Sequence, residues 1–584
     1  MIARVHLNSG LHELPQYVSD DRQRARRAHC RKARAQFEWE AVSVPLPLLD
    51  GELSLPGRCK RHPPVLRHSP ATTAHLAIDR TKMRVEARIT RLRRLRRDPR
   101  CERHYEQLFG PFAHPPNRAL DNWRSDLEFG RQQLNGVNPM RIRRVLGGDP
   151  ALASEEVKQA IVASTGQTLD ALLGDQRLFK TEYSALASPE LQAVAERKRE
   201  QARIDGRRPA WLAAPTCVLW DDGAQLVPLT IQLEPPHADS PNPAYTPGHP
   251  RNSWLVARAH VQAAAGLAHE SIHHLLETHL INEAIAVGLY RQIHEDHPLR
   301  QLLDPHYEGT LAQNYISRGS LLAPGGAFDT AIVTGVEGGM LAIAQYYDHW
   351  RWADFSLDND LAARGFGPDQ RVLHYYYYAC DATPVHHAIA RFVERYLRIW
   401  YRSDEDVCMD YELHGFLAEV SNPEQGNVKG FPTSRQINSV AALESLITDM
   451  IFRAGPQHSA VNNGQYDAYG FVPNNPGIVH RQPPQSVEEP VSDRELWEAM
   501  PTLDESIQQK SMAWILSRPT DRTLLHAGES PVFDASVCAE LRHILRGFRR
   551  RLQNISERIV ARNERLPFPY VYLDPRNISR STDT

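Results

Sequence analysis

The sequence is poor in cysteine, and the cysteines it has are scattered. Seven of them in 584 residues (Cys30, Cys59, Cys101, Cys217, Cys380, Cys408 and Cys538) stand far apart, and no CxxC occurs. That removes the ligand spacing of a zinc finger or an iron–sulfur cluster and the framework of a disulfide-rich domain; the odd count fits a reducing compartment. Long apolar runs are missing too. The N-terminus shows no run of signal-peptide length and no stretch could span a bilayer, so a soluble, cytoplasmic protein is expected. Net charge is nearly absent: 68 Lys and Arg against 70 Asp and Glu leave −2, and no global field points to nucleic acid. What is present is apolar mass, 41% of the residues, enough for several ordinary domains or one unusually large core.

The balance of charge hides a local excess. Residues 1–104 form a basic arm, expected to be partly helical. A cationic helix is expected over Arg22 to Arg34, then loops around Pro45, Pro47, Pro56, Pro63 and Pro64, then a second basic run from Arg84 to Arg100. In that run Ile89, Leu92 and Leu95 recur at helical spacing, which suits either a solvated face on a packed helix or contact with an anionic membrane.

The most informative stretch is HESIHHLLETHLINE, His269 to Glu283. No Pro or Gly falls between Leu267 and Gly288, so one continuous helix is expected, apolar on nearly every side and therefore buried. Histidines inside a core must be hydrogen-bonded or hold something. Three readings compete. The four histidines are ordinary core hydrogen-bonders; or His269-Glu270-x-x-His273 is a zinc-peptidase HExxH with Glu270 as general base; or His274 and His279 form a pair. The last two diverge on a regular α-helix, and a local π-turn would bring them to one side.

Elsewhere, residues 150–205 read as polar helices, Thr216 to Leu233 as a hairpin turning at Asp222-Gly223, and residues 385–420 as helix with a packing stripe of aromatics. Asp404, Asp406 and Asp410 lack the glycine and closing Glu of a calcium loop and read as solvated. A helix from about Ile437 ends in QHSAVNNGQY, where His458 and Asn462 are four apart and share a face. An imidazole and a carboxamide aimed together could complete a site begun by His274 and His279. A last basic helix spans Ser536 to Glu564.

Taken together and in order, WxxDxxFGxQxLNGxNP (Trp123 to Pro139), HHLLETHL (His273 to Leu280), HPLRQLLDPHY (His297 to Tyr307) and QHSAVNNGQY (Gln457 to Tyr466) resemble the lipoxygenases, over roughly Tyr105 to the C-terminus. The resemblance implies a mainly α catalytic domain over 105–584, built round a ligand-bearing central helix with minor β elements. It lacks the N-terminal β-sandwich lipid-binding domain, for which residues 1–100 are too short and too basic. It implies a non-haem iron centre (Fe2+/Fe3+, with manganese as the alternative metal) on His274, His279, His458 and Asn462. The terminal carboxylate, here that of Thr584 where the family usually has Ile, is the last ligand. Glu270 and Gln465 fall in supporting positions around the ligands. Ser317 falls where a small residue steers oxygen to one face, and Leu321 in the adjoining pocket wall.

The implied reaction is insertion of O2 into a polyunsaturated fatty acid carrying a cis,cis-1,4-pentadiene, giving a hydroperoxide. No protein acid or base is required. Partners are then the fatty acid and O2, with peripheral membrane contact through the arm, no nucleic acid, and a monomeric chain. The rivals are a zinc metallopeptidase through residues 269–273 and an inactive lipid-binding relative.

Overall fold

The computed structural model describes residues 13–61, 70–94, 97–235, 242–484, 486–529 and 539–582. It is mainly helical, as the pattern predicts, and is organised round a run of backbone from Arg251 to Gln292. This central helix begins as α-helix Arg251–Ala268, continues as π-helix His269–Leu280, and returns to α-helix over Ile281–Gln292. Nearly every side chain along it is buried, which is why its sequence is apolar on all faces.

Two small sheets flank the helices. The larger has four antiparallel strands, Arg143–Arg144, Leu178–Glu182, Thr216–Asp221 and Leu226–Gln232, in that order. The expected hairpin is its last pair, and Gly223 takes φ +104° in the turn, a conformation that favours glycine. Leu178–Glu182 lies inside the segment read as helical. Its pairing from Leu178↔Trp220 to Glu182↔Thr216 outweighs the local pattern, which five residues are too few to carry.

The WxxDxxFGxQ segment is scaffolding. Asp126 Oδ1 accepts hydrogen bonds from Trp254 Nε1 at 2.6 Å and Arg258 Nη1 at 3.1 Å, fixing the first turns of the central helix. Gly130 lets its helix lie against the sheet, since a Cβ there would sit 2.1 Å from the Leu226 carbonyl oxygen. Gln132 accepts from Asn475 Nδ2 at 2.8 Å, joining the segment to the loop after the second ligand helix.

The basic N-terminal residues are packed into this frame. Helix Asp20–Gln36 buries Arg26, whose guanidinium donates twice to Glu412 at 2.7 and 2.9 Å. The proline-rich stretch contains a strand pair, Trp39–Pro45 with Glu52–Cys59, where loops alone were expected. A two-stranded ribbon is all edge, so Pro45 and Pro56 take positions whose missing N–H costs little. Helix Pro70–Arg93 follows and turns Glu86 inward to accept the Phe112 and Ala113 backbone N–H groups, each at 3.0 Å. Leu95, in the same basic run, lies outside the described residues.

The three aspartates read as a solvated loop lie at helix starts, Asp404 and Asp406 in the first turn of helix Asp404–Met409 and Asp410 as the N-cap of the next, and only Asp404 is exposed. Asp410 is fully buried; it caps helix Tyr411–Ser421 and accepts from His297 Nε2 at 2.9 Å and Tyr401 Oη at 2.6 Å. Asp406 is buried and accepts from the Arg402 and Ser403 backbone N–H groups. Their acidity serves orphan helix N–H groups and a buried histidine, so the hydrophilic spelling misleads.

Candidate metal centre

The π winding decides which histidines meet. In a π-helix the hydrogen bond runs to the fifth residue, so residues five apart stack along the axis. His274 and His279 are five apart, and their Nε2 atoms lie 3.2 Å from each other. His458 arrives from a second helix, Val440–Phe452, which also passes through a π-turn, Arg453–Gln457, before the short α-helix His458–Asn462. Pro456 lies inside that π-turn and lacks the N–H that an α-helical bond would need. The His458 ring centroid is 5.6 Å from that of His274 and 5.0 Å from that of His279. All three are buried, and each offers a ligand atom within 4.8 Å of the others.

Hydrogen bonding settles where the protons are. Asn314, on helix Thr310–Arg318, donates from Nδ2 to the His279 carbonyl oxygen at 3.0 Å and to Glu283 Oε2 at 2.8 Å. Its Oδ1 therefore faces His279 Nδ1, 2.9 Å away, and that nitrogen must donate. His274 Nδ1 lies 3.1 Å from Glu270 Oε2 and donates likewise. The two Nε2 atoms are the nitrogens that face each other. Among the described residues neither ring nitrogen of His458 has a hydrogen-bond partner, although the residue is fully buried. Burial pushes the His279 imidazole down to about 3, with His274 adding to the shift. Burial, then His279 and His274, pushes His458 well below its ordinary range. Three imidazoles thus converge on one buried spot, a donor set that could hold a metal ion.

Around this centre, Gln465 donates from Nε2 to Asn462 Oδ1 at 3.0 Å and stands 3.5 Å from His274 Nδ1. Asn462 is fully buried and donates to the Leu516 carbonyl oxygen at 2.9 Å. Glu270, Gln465 and Asn462, the last expected as a ligand, all lie beside the histidines. Asn314 was missed as a partner of His279; a buried amide on an otherwise amphipathic helix is its one signal. Glu283 turns to Asn314 and Arg318, away from the histidines. Thr584 lies outside the described residues. The chain is described as far as Thr582, which is fully buried, with its hydroxyl 2.8 Å from that of Thr310. Just before it, Ser579 N donates to Ser459 Oγ at 2.9 Å, beside His458.

The HExxH reading fails on the same grounds. His269 Nε2 meets the Val461 carbonyl oxygen at 2.7 Å and Nδ1 meets the Tyr469 hydroxyl at 2.9 Å, so both nitrogens are used. His273 Nδ1 pairs with Glu277 Oε2 at 2.9 Å, and Glu277 Oε1 takes the Tyr346 hydroxyl at 2.9 Å. Neither histidine belongs to a metal-competent cluster among the described residues.

A narrow cavity of about 50 Å3 opens beside His274 and His279, walled by Leu275, Leu280, Ser317, Leu321 and Phe328. Both pocket residues expected from the sequence, Ser317 and Leu321, line it. Leu275, Leu280, Arg318 and Leu322 separate it from a second space of about 260 Å3 under the N-terminal strand pair.

A mainly helical domain brings three histidines together at one buried point, beside an apolar cavity, as a candidate metal site. The family model for lipoxygenases matches residues 110–568, and the chain belongs to that family, whose members are non-haem iron enzymes. Polyunsaturated fatty acid lipoxygenase ALOX12 of Mus musculus is 32% identical over 484 residues, covering 82% of this chain and 69% of that protein. Hydroperoxide isomerase ALOXE3 of Homo sapiens is 31% identical over 469 residues, covering 79% and 63%. The anaerobic structure of delta413-417:GS LOX in complex with arachidonate superposes with a TM-score of 0.86 at 25% identity, over 98% of this chain and 84% of that one. Coral 8R-lipoxygenase shares the fold, with a TM-score of 0.85 at 24% identity over 98% and 83%.

Proposed function

We propose that this chain is a non-haem iron dioxygenase that inserts O2 into polyunsaturated fatty acids bearing a cis,cis-1,4-pentadiene and yields hydroperoxides. The observation that carries it is the convergence of the imidazoles of His274, His279 and His458 in a buried space. Those three would hold the iron, with Asn462 on the His458 face and the Thr584 carboxylate completing the set. Nitrogen donors with carboxamide and carboxylate oxygens, and no thiolate, suit iron, with manganese the nearest competitor. When bound, the metal supplies the one-electron chemistry by which the methylene between two double bonds loses a hydrogen atom and becomes reactive toward O2.

The protein's own part is to hold and exclude. Glu270 and Asn314 keep the proton on the Nδ1 atoms, so that the Nε2 atoms remain donors of electron pairs. The apolar wall of Leu275, Leu280, Leu321 and Phe328 accepts an acyl chain and keeps water out. Ser317, on the helix facing the histidines, limits the side from which O2 approaches. Ligand pockets run roughly 300–1,000 Å3, so the fatty acid occupies both spaces, and Leu275, Leu280 and Leu322 move apart as it enters.

Peripheral contact with an anionic lipid surface is part of this reading. Helix Pro70–Arg93 exposes Ile78, Val85 and Leu92 at seven-residue spacing, with Arg84, Arg88 and Arg93 exposed beside them. No helix among the described residues is long and apolar enough to cross a membrane.

The test is conjugated-diene formation from linoleate and arachidonate, run beside metal analysis. Stoichiometric iron with hydroperoxide product is expected. Iron-loaded protein that binds linoleate and forms no diene would reduce the chain to a lipid-binding relative.

A further inference from the structure

The N-terminal helix brings a histidine against the far end of the central helix. His29 lies on Asp20–Gln36; His294 and Glu295 follow directly on the last turn of Ile281–Gln292. The two rings are 4.6 Å apart between centroids at an interplanar angle of 66°. Each of the three residues offers a ligand atom within 4.8 Å of the other two, the same bound that holds for His274, His279 and His458. Among the described residues no other group of histidine, cysteine and carboxylate side chains meets that bound.

We propose that His29, His294 and Glu295 form a second divalent-cation site, selective for a borderline metal such as zinc, that ties the N-terminal helix to the central helix. Two imidazoles and one carboxylate with a water in the fourth position make a common zinc donor set. Zinc–nitrogen and zinc–oxygen bonds of about 2.0–2.2 Å place tetrahedral ligand atoms about 3.4 Å apart. The cluster must therefore contract, and His29 and Glu295, half-buried and exposed, are free to swing in.

No hydrogen bond among the described residues occupies a His29 nitrogen. The Asp296 backbone N–H donates to His294 Nδ1 at 3.1 Å, which leaves Nε2 as the ring nitrogen not taken by the backbone. Binding a metal at Nε2 would shift the ring proton to Nδ1 and give up the Asp296 N–H contact. Nearby positive charge is already spent: Arg26 is paired with Glu412, and Arg300 with Asp304. Cys30 adjoins His29 but takes no part. Burial pushes its thiol up to about 11, and it donates to the Gln292 carbonyl oxygen.

This inference is independent of the fatty-acid reading and is tested on iron-loaded full-length protein. Zinc chloride is titrated calorimetrically, iron content is measured before and after, and cobalt(II) serves as a visible-absorption probe of the coordination. The expected result is one equivalent of zinc bound beyond the iron, with iron retained and the melting temperature raised. His29→Ala and Glu295→Gln, both at accessible positions, should each weaken that uptake at least tenfold and abolish the thermal shift while iron content stays the same. Absence of the extra equivalent in the unmodified protein overturns the proposal, as does undiminished zinc affinity in either variant.

Discussion

Two histidine pairs sit on the same π-helix, one residue out of register, and meet opposite fates. His269 and His273 are four apart, the spacing that shares a face on an ordinary helix, yet both nitrogens of His269 turn to Val461 and Tyr469, and His273 Nδ1 turns to Glu277. His274 and His279 are five apart, a spacing that diverges on an ordinary helix, yet their Nε2 atoms meet at 3.2 Å. Helical winding, more than spacing in the sequence, decides which pair converges. The first pair is hydrogen-bonded into the core, and the second, with His458, forms the candidate metal site.

The strongest way to break this contrast is to remove one member of the convergent set. His274→Ala, His279→Ala or His458→Ala should each lower diene formation by more than about a thousandfold and leave substoichiometric iron, read by absorbance and elemental analysis. His269→Gln should keep its iron; if it also loses the metal, the two pairs do not differ in role.

Acid should expose the same burial that keeps core histidines neutral. Burial pushes His260 and His306 each down to about 4. The unfolded chain, with an ordinary imidazole near 6.5, binds more protons than the folded one between those values, so stability falls as pH drops from about 6.5 to 4. Each contributes on the order of 3 kcal/mol across that window. Chemical denaturation at pH 7 and pH 5 should show the loss, and His306→Gln should flatten the slope.

Loss of support around the ligands should matter less than loss of a ligand. Glu270→Ala or Gln465→Leu should weaken iron retention about 10–100-fold against a chelator. In the other pair, Tyr346→Phe removes one hydrogen bond from the His273–Glu277 chain and should cost about 1–2 kcal/mol of stability without touching iron content. The smallest effect on rate is expected at Ser317→Gly. It opens the wall beside the histidines and should change the ratio of hydroperoxide isomers, resolved by chiral chromatography, at similar turnover; an unchanged product ratio removes Ser317 from oxygen steering.

Much of the molecule could be read before folding because it depends on residue type and order. A 41% apolar chain whose longest helix has no polar face had to bury that helix. The motifs around His274, His279 and His458 point to a chemistry through their resemblance, in order, to lipoxygenase segments. The strand Leu178–Glu182 and the Trp39–Pro45 ribbon could not be read, because five to eight residues carry little pattern and pair with partners remote in sequence or across a proline-rich turn. Asp406 and Asp410 could not either, since their spelling is that of a solvated loop and their hydrogen bonds belong to buried helix ends.

By itself, the sequence determined which donors are available: four histidines on one uninterrupted helix, another beside Asn462, and no thiolate spacing to compete with them. Only the tertiary structure decided their protonation and their partners. The proton on each Nδ1 depends on Glu270 from the previous turn and on Asn314 from a separate helix. His458 reaches the centre through a π-turn of its own. A lone pair becomes a metal ligand when its neighbours claim the other nitrogen and exclude water, and both conditions are set by packing between segments distant along the chain.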